Sequence, residues 1–70
     1  MGKVYTITDP RVGKTRRIKD LRVVSHQLPN GEGEMHAVPC VEFMVIGHNH
    51  EWPLWLTLED FRRANPHMHV

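Results

Sequence analysis

Seventy residues, 40% of them hydrophobic and 24% charged, are enough for one small domain with a modest core, since a chain of this length buries only about 60% of the surface it exposes when unfolded. The single cysteine, Cys40, excludes an intramolecular disulfide and a four-cysteine zinc cage, and no stretch approaches the roughly 20 apolar residues of a membrane-spanning helix. The net charge of +1 conceals a segregation: +5 over residues 1–22, −6 over residues 23–61, and +2 from Arg62 and Arg63.

Residues 3–8 alternate β-branched and aromatic side chains and read as a first strand. Asp9-Pro10 ends it, and residues 9–17 are expected as a basic loop. Residues 18–28 mix two periods. Ile18 and Leu21 are three apart, as on a helical turn, while Val23-Val24 favour extension, so a second strand is expected at about 20–27 with a turn before it. Asn30-Gly31 is the strongest hairpin signal in the chain and suggests a type I′ turn, with Glu32-Gly33 able to lengthen it.

Residues 35–46 form the most strand-like segment. Met35, Ala37, Val41, Phe43 and Val45 share one face, and His36, Val38, Cys40, Glu42, Met44 and Ile46 the other. Pro39 cannot donate to a ladder, so a bulge or bend is expected there. After a Gly47–His50 turn, residues 51–56 return as a fourth strand, with Trp52, Leu54 and Leu56 opposite Trp55. Thr57 followed by Asp60 resembles a capping box, and Asn65-Pro66 stops the helix at about Ala64. Residues 1–66 are read as one domain and 67–70 as a loose tail. The expected fold is mainly β: a small, bent, four-stranded antiparallel meander or SH3-like barrel closed by one short C-terminal helix.

The basic segment is the strongest functional signal. Arg11, Lys14, Arg16, Arg17, Lys19 and Arg22 could meet phosphate or an acidic protein surface, since a guanidinium fits either as a bidentate fork. Two outcomes are open for the segregated charge. The fold keeps basic and acidic surfaces apart, or a meander lays them side by side and they neutralise. In Trp52-Pro53-Leu54-Trp55-Leu56, one Trp belongs in the core, and an exposed Trp55 would make an interface anchor. His48 and His50 are weak metal candidates with an incomplete ligand set, and no metal or other cofactor is expected. Cys40 reads as a small core hydrophobe. No phosphate loop, nucleophile elbow or paired acidic cluster appears, so no enzymatic activity is expected.

These features point to a non-enzymatic regulatory or adaptor protein that binds a larger protein machine. In size and composition only, the chain is comparable to small phage-encoded modulators of host transcription machinery such as RNA polymerase. The other reading is a small nucleic-acid-binding barrel using residues 11–22. A cytoplasmic monomer or weak dimer is expected, with a protein partner, no membrane association, and an open edge at the first or fourth strand.

Overall fold

A computed structural model describes residues 2–70. Four antiparallel strands, β1 (Tyr5–Asp9), β2 (Lys14–Pro29), β3 (Met35–Ile46) and β4 (Glu51–Thr57), form one meander in sequence order, followed by helix α1 (Leu58–Ala64). The sheet curls into a half-barrel. Its inner face carries Ile7, Ile18, Val41, Phe43, Val45 and Leu56, and Phe61 of α1 plugs the hollow. This is the alternation anticipated along β3, with the odd-numbered side chains turned inward.

The basic loop expected at residues 9–17 is instead a tight turn, Pro10–Gly13, and the start of a 16-residue strand. Lys14, Arg16 and Ile18 share the inner face opposite β1; Arg16 is tolerated there because the Asp9 carboxylate accepts from its guanidinium, and Lys14 is exposed. The bulge expected at Pro39 lies elsewhere. Pro39 pairs with Ser25 without irregularity, and the register shifts between Lys19 and Arg22, where Asp20 takes φ 56°. This shift explains the mixed period of β2. The extra residue restores the inward phase, so Ile18 and Leu21 both reach the core although three apart in an extended strand.

At the second hairpin the loop is longer than a two-residue type I′ turn, the lengthening through Glu32-Gly33 that the sequence allowed. Gly33 N–H bonds the Asn30 carbonyl (3.1 Å), Gly33 takes φ 83°, and Asn30 N–H bonds the Glu34 carbonyl (2.7 Å). This is a three-residue loop whose last position is left-handed. The Asn30 side chain accepts from the amides of Glu32 and Glu34 and so holds the loop from within. At the next turn, a Cβ on Gly47 would stand 2.6 Å from the Trp52 ring and 2.8 Å from the His50 carbonyl, so only glycine fits.

Thr57 caps α1 as anticipated, accepting from the Asp60 amide at 3.2 Å. Asn65 ends the helix and does more. Fully buried, it accepts from the Thr8 amide (2.6 Å) and donates to the Thr8 carbonyl (3.0 Å) and the Phe61 carbonyl (3.1 Å). Its amide thereby imitates a neighbouring strand for β1. From residues 67–70, Met68 and Val70 pack on the core, His67 Nε2 is 3.3 Å from the Thr6 carbonyl, and Arg62 donates to the Val70 carbonyl.

The molecule measures 40 × 21 × 21 Å. The elongation comes from the β2–β3 hairpin. β1 covers β2 only as far as Ile18, and β4 covers β3 only from Cys40, so beyond these points two strands continue alone.

Candidate functional site

The β2–β3–β4 register assembles a site on the outer face. Glu42 lies opposite Arg22 on one side and opposite Trp55 on the other. Arg22 Nη2 and Nε donate to Glu42 Oε1 at 2.8 and 3.1 Å. His26 Nε2 is 3.0 Å from Glu42 Oε2, and the His26 ring stacks on Trp55 with centroids 4.6 Å apart and planes at 19°. A groove of about 540 Å³ runs alongside, lined by Asp20, Arg22, Glu42, Met44, Pro53 and Trp55. The bonds from Arg22 hold the Glu42 carboxyl below its ordinary range, and His26 adds to this against the opposing effect of burial.

The arrangement presents an aromatic surface with its neighbouring carboxylate already bonded. Both oxygens of Glu42 are engaged by side chains of β2. Trp55 remains 40% exposed while one side of its ring is braced by His26. An aromatic group whose rotamer is held before binding loses little entropy on contact.

The sequence-predicted basic residues divide into two sets. Asp9, fully buried, accepts from Arg11 Nε (3.3 Å) and from Arg16 Nε (3.0 Å). Burial pushes the Asp9 carboxyl up, but the bonds from Arg11 and Arg16 outweigh it and leave the carboxyl below its ordinary value. Arg16 also sits 5.9 Å over the Trp52 ring. Lys19 pairs with Glu51 at 2.8 Å, which raises its affinity for its proton, and Arg22 pairs with Glu42. The meander therefore sets Lys19 and Arg22 of the positive segment against the negative one, whereas Arg11 and Arg16 are met by Asp9 from within their own segment. Lys14 and Arg17 are exposed and take no part in these pairs.

Trp52 is half-buried against the core and Trp55 faces out, which resolves the two tryptophans. Cys40 is fully buried, with its thiol 3.4 Å from the Val38 carbonyl. His48 stays in the turn, while His50 tilts against Trp52, centroids 5.0 Å apart. Among the described residues, no three His, Cys, Asp or Glu side chains are grouped to hold a metal ion. Also among them, no helix is long and apolar enough to cross a membrane.

His26 and Glu42 were not singled out from the sequence. Glu42 carried a usable signal, being the sole charged residue in the apolar stretch 35–46. A carboxylate at that place requires partners on the neighbouring strands. His26 carried none, since its role depends on Trp55, which lies two strands away.

No family model matches this chain, and neither a curated protein nor a solved structure does.

Proposed function

We propose that this chain is a non-catalytic binding module that docks on a larger protein through the outer-face groove, with Trp55 as the anchor. One observation carries this reading: a tryptophan exposed over 40% of its surface yet held in place by a stacked histidine, beside a groove of about 540 Å³. Tryptophan and arginine dominate interface hot spots, and both line this groove. The Arg22–Glu42–His26 cluster is already satisfied within the chain, so a partner could cover it without leaving a charge unpaired. A modulator of transcription machinery is one member of this class.

The alternative, a nucleic-acid-binding surface, draws support from Lys14 and Arg17 alone. Arg11, Arg16, Lys19 and Arg22 are already engaged by carboxylates, which lowers the positive field available to phosphates.

Affinity purification from cells that make the protein tests the proposal, comparing the natural chain with Trp55→Ala. A specific protein retained by the first and lost from the second supports it. Retention that is indifferent to Trp55→Ala defeats it. A nucleic-acid complex whose affinity falls steeply with salt, and whose salt slope flattens in Arg17→Ala, would transfer the reading to the alternative.

A further inference from the structure

Open sheets expose two edges, and folded proteins usually blunt them. Here the blunting is uneven. Both polar backbone groups of Thr8 on β1 are taken by Asn65, and the Thr6 carbonyl meets His67. β4 carries Pro53, and the free stretch of β3 carries Pro39; neither residue has an N–H to offer. Between Arg22 and Leu28, β2 has no proline and no strand on the side away from β3. Its only Lys, Arg, Asp or Glu is Arg22, which is tied to Glu42. The edges expected to be open, those of β1 and β4, are therefore the defended ones.

The phase of the ladder says which groups this edge presents. Antiparallel pairing alternates inward and outward along a strand. Thr8 turns outward to Asn65. Following the register from β1 through β2 to β3 turns Met44 and Glu42 towards β2 and away from β4. The positions of Pro53 opposite Met44 and of Pro39 opposite Ser25 agree with this phase. Val23, Ser25 and Gln27 therefore point their amides and carbonyls away from β3, to a side where, among the described residues, no strand pairs with them.

We propose that this edge pairs antiparallel with the same edge of a second copy of the chain, about a twofold axis at Ser25. The edge is self-complementary in that register. Ser25 meets its own mate, Val23 meets Gln27, Val24 meets His26 and Arg22 meets Leu28, so no like charges are directly opposed. The pairing also supplies what the arm lacks. A two-stranded ribbon is marginally stable in water, and joining two of them gives a four-stranded sheet. Val23, 51% exposed on the inner face of the ribbon, gains a neighbour. This inference goes beyond the groove reading and is independent of it, because it concerns the purified chain with no partner present.

Sedimentation of the purified protein from micromolar to millimolar concentration, with amide hydrogen exchange at both ends of the range, provides the test. The expected result is a monomer–dimer equilibrium in which the amides of Val23, Ser25 and Gln27 exchange more slowly as dimer forms. Ser25→Pro removes only an outward-pointing N–H, and it should raise the dissociation constant at least about tenfold. Val23→Lys, which places a charge on the edge, should do the same, so the outcome does not hang on the fold of one variant. A chain that remains monomeric to millimolar concentration overturns the proposal. So does a dimer unaffected by either substitution, or one that protects β4 amides instead.

Discussion

At one end of the molecule, residues 40–46 of β3 are flanked by β2 and β4 and covered by Phe61. At the other end, residues 35–39 of the same strand have β2 on one side and solvent on the other. Among the described residues, every buried one belongs to the first region, and none lies between Lys19 and Pro39. The contrast separates two tasks within one hairpin. The four-stranded base supplies the apolar burial that a 70-residue chain needs to fold at all. The arm adds little burial and leaves its backbone and both faces accessible. The Trp55 groove lies near the junction, where Arg22, at the root of the arm, meets Glu42 and the rest of the base.

The contrast is sharpest when core substitutions are set against arm substitutions. Phe61→Ala should cost about 3–5 kcal/mol in urea denaturation, enough to leave a domain of this size largely unfolded. Leu28→Ala, on the arm, should cost less than about 1 kcal/mol. Equal effects at the two positions would refute the division. Asn65→Ala should follow at about 2–3 kcal/mol, because it removes a fully buried amide and strips partners from the half-buried N–H and carbonyl of Thr8. It should also expose the β1 edge, so aggregation on dilution from urea is expected for this variant and not for Leu28→Ala.

The same division governs what could be read from the sequence. The base was largely legible. Alternation along residues 35–46, the Thr57 cap and the Asn65-Pro66 stop each depend on neighbours a few residues away. The start of β2 was not. Its cations obscure the strand pattern, and three of them, Arg16, Lys19 and Arg22, are held by Asp9, Glu51 and Glu42 through pairings that appear only once the strands align. Asn65 read as a helix stop, while its bonds to Thr8 span 57 residues and leave no local trace. At the candidate site, Trp55 and Arg22 were visible as residue types. Their union with His26 and Glu42 depends on a three-strand register, and that register passes through a bulge that resembled a helical turn.

Acid titration probes the base and the junction together. Asp9 and Glu42 have carboxyls that hold their charge more firmly folded than unfolded, so each contributes stability that is complete above the ordinary carboxyl range. That stability is lost as pH falls through the lowered folded value. The melting temperature should therefore be level near neutrality and decline in the acid range. Asp9→Asn should flatten that decline more than Glu42→Gln, because Asp9 is fully buried whereas the Glu42 side chain is 28% exposed and screened by solvent. The reverse order would place the acid-sensitive ion pair at the junction instead of in the base.

The smallest expected effect lies at the joint between the two regions. Asp20 holds φ 56°, a left-handed conformation that costs a non-glycine residue about 1 kcal/mol or more. Its carboxylate attracts the Lys19 ammonium through space, an exposed interaction that offsets little of this cost. Glycine adopts the conformation without a Cβ penalty, though it loses more backbone entropy on folding. The two terms nearly cancel, and Asp20→Gly should stabilise by no more than about 1 kcal/mol in urea denaturation. Asp20→Val adds branching at the same φ and should destabilise by about 1–2 kcal/mol. A gain from valine, or a clear loss from glycine, would mean that the bulge is held by the aspartate side chain itself. The inward phase of Leu21, and with it the separation of arm from base, would then rest on that one carboxylate and not on backbone geometry.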